Sequence, residues 1–192
     1  MADKEERADA HFSVRLLTDE DGPKFVDFVS RVPEGERRFL KEDLTDPETA
    51  FTADFPRERA RRLIAVDDRV GGRGDIVGIA GAFPEGGWSS HVAELRVLVS
   101  AAHRRLGIGR MLAHAAVVEA LRLGCTHLFV EVIAEQDALV AMFQDLGFEP
   151  QALLPDFVRD GSGGFHDLMV LTLHADAQWN VSQILGLEDV AS

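Results

Sequence analysis

The stretch Arg104-Arg105-Leu106-Gly107-Ile108-Gly109-Arg110 constrains the fold of this chain more than any other. It follows an apolar run, Leu95 to Val99, and opens a helix-like segment, Met111 to Leu123. A strand, a glycine-bearing basic loop and a helix start together make an anion site. The first helical N–H groups lack intrahelical partners and lie at the positive end of the macrodipole. Gly107 and Gly109 carry no Cβ, so the backbone can take an unusual conformation and let a phosphate come close. Arg104, Arg105 and Arg110 add guanidinium forks suited to phosphate oxygens. The implied ligand is a phosphate.

The rest of the chain makes that basic cluster stand out. Its 192 residues carry a formal charge of −13 and a pI near 4.9, which excludes nucleic acid and anionic membrane surfaces as partners. The loop therefore reads as a site for one small anion. A hydrophobic fraction of 46% suffices for one sizeable core. The single cysteine, Cys125, rules out an intramolecular disulfide and a cysteine-based zinc cluster, and its neighbours read as strand, which suits a buried inert thiol. The charged segment from Met1 to Ala10 has no signal-peptide core, and no run reaches the ~20 apolar residues of a membrane span. A cytoplasmic location without metal is the expectation.

In chain order, a frayed N-terminus over 1–10 precedes a strand, His11 to Leu17. Thr18 with Asp19, Glu20 and Asp21 reads as a helix cap, and Phe25, Val26, Phe28 and Val29 as the helix's apolar face. Two short helical pieces are expected over Glu36 to Leu44 and Asp46 to Asp54. Strands Leu63 to Val66 and Ile76 to Phe83 form a hairpin across a glycine-rich loop. In His91 to Val99, parity sets Ala93, Leu95, Val97 and Val99 on one face and Val92, Glu94, Arg96 and Leu98 on the other. The helix after the glycine loop shows Ile108, Met111, Leu112, Ala115 and Val118 at helical spacing. Thr126 to Ile133 suits a strand covered on both faces, Gln136 to Asp145 a helix, and Phe148 to Leu154 and Phe165 to Leu173 the last strands. His166 and Asp167 read as a hairpin-edge pair. One α/β domain over 11–174 results, followed by a tail, 175–192, whose Trp179, Ile184, Leu185 and Leu187 suit docking or a homodimer contact.

The order strand, Arg-x-x-Gly-x-Gly, helix, strand, helix and Leu146-Gly147-Phe148 resembles the GNAT superfamily of acyl-CoA-dependent N-acyltransferases. Glu94 to Val99 resembles the strand before that family's cofactor loop, Arg104 to Gly109 the loop, and Ala138 to Phe148 the later helix and strand. Trp88 to Val99 and Leu154 to Leu173 are similar to a bacterial branch defined by sequence. The resemblance implies a mixed, mostly antiparallel sheet, splayed at the cofactor site, with helices on both faces. It also implies acetyl-CoA or another short acyl-CoA as co-substrate. The pyrophosphate would lie on the N–H groups of Leu106, Gly107, Ile108, Gly109 and Arg110, and the pantetheine arm along Val97, Leu98 and Val99. Gln136 stands where a family Asn contacts the cofactor.

Acyl transfer to an amine needs a base for the ammonium, stabilisation of the thioester oxygen, and a proton for the leaving thiolate. Glu94 is the first candidate base, with a structural Glu94–Arg96 pair as the competing reading; His91 is the second candidate. The family's general acid is commonly a Tyr, and that position here is Phe143, in a chain without tyrosine. The acceptor is a small-molecule amine or a protein amino group, and the chain's acidity favours a cationic one. Without catalysis, the chain would be an acyl-CoA-binding module.

Overall fold

Strand alternation in this chain builds one sheet with a different apolar layer on each face. The computed structural model describes residues 12–33, 60–68, 74–160 and 162–175. The expected N-terminal segment, the two helical pieces between 36 and 54, most of the glycine-rich hairpin loop and the tail beyond residue 175 lie outside the described residues. The elements are β1 (Phe12–Leu16), α1 (Gly22–Arg31), β2 (Arg61–Asp67), β3 (Asp75–Pro84), β4 (Val92–Val99), α2 (Ile108–Arg122), β5 (His127–Ile133), α3 (Asp137–Asp145), β6 (Glu149–Arg159) and β7 (Phe165–His174). The strands form a seven-stranded sheet in the order β1-β2-β3-β4-β5-β7-β6. Every pairing is antiparallel except β4 with β5. No helix among the described residues is long and apolar enough to cross a membrane.

On one face, Phe25, Phe28 and Val29 of α1 pack with Ile64, Val66 and Ile76, while Ile79 and Leu98 close the layer. On the other, α2 lies on Ala65, Val77, Ala80, Ala82, Ala93 and Leu95, with Val97 and Val99 at the margin. The expected parity of β4 is thus observed. Register shifts fall instead between Ala65 and Val66 of β2 and within β6.

The buried stripe of α2 differs from the expected one. It runs Ile108, Leu112, Ala113, Ala116, Val117 and Ala120, while Met111 is 42% exposed. Close approach explains the alanines. A Cβ on Gly78 of β3 would meet Leu112 Cδ1 at 2.8 Å, so small residues on both surfaces bring helix and sheet together. Cys125 is buried, and burial pushes its thiol pKa up, in keeping with an inert role.

The entry to α1 is fixed by a charge network. Thr18 donates from its N–H and its Oγ1 to Asp21 Oδ2, at 2.9 and 2.8 Å. Arg15 grips the same carboxylate with two 2.6 Å bonds. The residues Asp19–Asp21 form a single 3-10 turn, so the helix begins later than the acidic run suggests, with Pro23 in its first turn. The hydrogen bonds from Arg15 are the main reason Asp21 titrates well below the usual carboxylate range. Its contribution to stability is therefore present above the ordinary value of 3.8 and is lost as pH falls through the lowered folded value. Arg15 is half-exposed, which screens the pair. Asp21→Ala is expected to lower the urea midpoint at unchanged slope, by about 1–3 kcal/mol of unfolding free energy at neutral pH, with a smaller difference in acid.

Candidate active site

The β4–β5 pair is parallel and short. Val92, Ala93 and Glu94 pair with His127, Leu128 and Phe129, and no pairing follows. Beyond that point β4 stays with β3 to Val99, and β5 stays with β7 to Ile133. The two central strands therefore part like a fork, and the β5-facing edge of residues 95–99 has no strand beside it. A cavity of about 1180 Å³ follows the fork. Its walls include Val97, Leu98 and Val99 from one arm and Val130, Glu131, Val132 and Ile133 from the other.

At the wide end of the fork lies the glycine loop. Gly107, the residue capping α2, has φ +81°, and a Cβ added there would meet nothing within 4 Å. Arg105 also takes a left-handed conformation, at φ +63°. A non-glycine residue there costs about 1–2 kcal/mol, and such strain concentrates at ligand sites. Gly109 has a different reason to be glycine. It sits inside the helix, and a Cβ there would lie 3.3 Å from Met142 Sδ, so it lets α2 and α3 approach.

The three arginines are spread over the loop's surroundings. Arg104 Nε donates to the Val99 carbonyl at 3.3 Å, tying the loop to the end of β4. Arg110 lies 3.5 Å from the Asp145 carboxylate on α3. Arg104, Arg105, Gly107, Gly109 and Arg110 all line the cavity, as does Gln136 at the start of α3. Leu106, half-exposed, and Ile108, buried in the core, are not among the residues that line the cavity.

Where the strands part, Glu94 is 5% exposed and paired through Oε2 with Arg96 Nη2 at 2.8 Å. Arg96 in turn stacks over the Phe83 ring at 4.5 Å. The structural Glu94–Arg96 pair is thus observed, and Glu94 also lines the cavity. Phe143 is 2% exposed and edge-packed on Phe148 at 5.2 Å, with no proton to donate.

The structure does not bring His91 to the cavity. It sits exposed before β4, its ring 5.0 Å from that of His127, which in turn lies 4.1 Å from the His174 ring. Three residues of extended strand put it roughly 10 Å from Glu94. His166 does not pair with Asp167 either, since neighbours on a strand point to opposite faces. It bonds Asp160 Oδ2 at 3.1 Å and Glu135 Oε1 at 3.4 Å, whereas Asp167 Oδ1 accepts the Asp156 N–H at 3.0 Å. Two cavity residues had no signal in the sequence. Glu131 stood inside an apolar run and Arg62 outside every motif; only the sheet register brings them to the fork.

The Acetyltransferase (GNAT) family model matches residues 28–148, more than half of the chain. The chain belongs to the GNAT acetyltransferase family. Solved GNAT relatives share its fold. One is yncA of Salmonella typhimurium, solved with its cofactor acetyl-CoA: it is 18% identical with a TM-score of 0.72, over 88% of this chain and 96% of that one. Another is the ribosomal-protein-alanine N-acetyltransferase of Brucella melitensis, 23% identical with a TM-score of 0.69, over 84% and 99%. A GCN5-related N-acetyltransferase from Kribbella flavida is 25% identical with a TM-score of 0.68, over 85% and 97%. No curated protein matches the chain.

One GNAT-chain histidine has a defined charge environment beside this cavity. The hydrogen bond that His166 donates to Asp160, more than the one to Glu135, raises its pKa above the ordinary 6.5. The contact therefore acts fully below 6.5 and is lost as pH rises through the raised value. An NMR titration of His166 is expected to give a midpoint above 6.5, and Asp160→Asn to lower it.

Proposed function

We propose that this chain transfers an acetyl group from acetyl-CoA to a primary amine, by direct attack of the amine on the thioester. Membership of the GNAT family supports use of an acyl-CoA. The observation that carries the proposal is the fork itself: an unpaired strand edge leads from a glycine-capped helix start to a buried carboxylate. The pyrophosphate is assigned to the N–H groups of Leu106 to Arg110 with Arg104, Arg105 and Arg110 around it, and the open space over Gly107 suits that fit. The pantetheine arm is assigned to the free edge of Val97 to Val99, where its amides can pair as a strand would.

In this reading Glu94 accepts a proton from the acceptor's ammonium, directly or through one water, and the freed nitrogen pair attacks the thioester carbon. Collapse of the tetrahedral adduct forms the amide and breaks the C–S bond, and the nitrogen gives its second proton to water. Ammonium, thioester and the Glu94 carboxylate thereby become amide, CoA and a protonated Glu94 that returns its proton to solvent. Phe143 supplies no acid. The sulfur leaves as thiolate, tolerable for a group with a pKa of about 8.5, and takes its proton from water. Arg96 holds Glu94 in place through the 2.8 Å bond. His91 receives no role, since it stands just before β4 beside His127 and does not line the cavity.

The buried, acid-less Phe143 is also the observation that favours the second reading, a non-catalytic acyl-CoA-binding module. Both readings have acetyl-CoA raising the melting temperature; only the enzyme releases free thiol when amine is added. Glu94→Gln is expected to cut thiol release at least 100-fold while acetyl-CoA affinity stays within about threefold. Unchanged turnover in that variant would remove Glu94 as the base, and absence of thiol with every amine would leave the binding module.

A further inference from the structure

Sheet register places four charged residues of the cavity on one face, in an order that sorts their signs. Arg62, Gly81 and Arg96 are Cα partners in one row across β2, β3 and β4. Glu94 lies two residues before Arg96 on the same face, opposite Phe129 of β5. Two residues beyond Phe129, across the opening fork, comes Glu131. Arg62 and Arg96 therefore stand at the two ends of the row, on β2 and β4, and the carboxylates flank the fork. All four side chains line the same cavity.

The middle of the row is hollowed out. Gly81 has no side chain, and the Phe83 ring lies across it so closely that an added Cβ would stand 2.4 Å from the ring. Arg96 stacks on that ring at 4.5 Å, and Arg62 lies 6.0 Å from the centre of the Phe25 ring. Stacking keeps a guanidinium plane fixed while its edge N–H groups remain directed sideways, the geometry that favours a planar carboxylate. Residues two strands apart are roughly 10 Å apart at the backbone, so two long arginine side chains can reach one anion between them.

From these observations, and resting on the transferase reading above, we infer that the acceptor is an amino acid-like molecule: a primary amine that carries a carboxylate. The ammonium sits at the fork between Glu94 and Glu131, and the carboxylate lies between the guanidinium groups of Arg62 and Arg96, beside the Phe83 ring rather than over its face. The separation from fork to ring, one to one and a half strand spacings, is roughly 5–8 Å. That span suits an amine and a carboxylate separated by several carbons. The net charge of −13 draws cations to the surface as a whole. The row reverses that sign locally, and it is the row that the acceptor touches.

The test is calorimetric binding to the full chain loaded with CoA. The probes are glycine, γ-aminobutyrate and ε-aminocaproate, each against its carboxamide, with thiol release from acetyl-CoA measured in parallel. At least one acid is expected to bind tenfold or more tightly than its amide, with γ-aminobutyrate or ε-aminocaproate ahead of glycine. Arg62→Met is expected to bring acid and amide within threefold of each other, and Arg62→Lys to keep part of the preference. Melting temperatures identify any variant that fails to fold, and the wild-type acid–amide comparison decides the matter without variants. Equal binding of acid and amide, binding of neither, or a preference that survives in folded Arg62→Met overturns the inference. Preferential binding of acids without thiol release upholds the acceptor site and overturns the transferase reading. Thiol release with acids and amides bound alike does the reverse.

Discussion

The parting of β4 from β5 after the Glu94–Phe129 pair is the constraint on which the site depends. A parallel pair inside an otherwise antiparallel sheet is held on its outer sides by full-length partners, β3 and β7. Each arm can therefore diverge without losing its own ladder. The opening costs backbone pairing on two inner edges only, and those edges line the cavity. The same geometry sets Glu94 at the vertex, where the sheet is still closed and the carboxylate is buried. The glycine loop is set at the open end.

The layers on either side keep that fork in shape. Gly78, Ala80 and Ala82 of β3 face Leu112, Ala113 and Ala116, so α2 lies close enough to the sheet to aim its N-terminus into the groove. Gly109 lets α3 come against α2, and Arg110 and Asp145 join the two helices at the surface. On the opposite face, Gly81 lets the Phe83 ring lie flat beneath Arg96. Three glycines thus act through the space they leave, while Gly107 acts through its backbone conformation.

Much of this was legible in local sequence. The strand end, the glycine turn and the helix start around Gly107 were readable because each signal acts within a few residues. The alternation in β4 likewise revealed which residues share a face. Other features were not local. The stripe of α2 turned away from Met111 because alanines that pack tightly carry little hydrophobic signal. β6 runs to Arg159, longer than Phe148 to Leu154 suggested, because register shifts and the left-handed Asp156 let it resume pairing after Leu154. Its place at the sheet edge accommodates Pro150 and Pro155. His91 lies only three residues before Glu94 yet stands just before β4 and outside the cavity, whereas Arg62 and Glu131 lie far apart in sequence and share it. Register between strands joins such residues, and a single sequence does not encode it visibly.

The central claim is that the fork's free edge is the cofactor groove. Amide hydrogen exchange with and without acetyl-CoA tests it most directly. Protection is expected to rise together in residues 97–99 and in Leu106 to Arg110, with little change in the paired strands β1 and β2. Acetyl-CoA binding that protects neither segment, or protects only residues far from the fork, would contradict it.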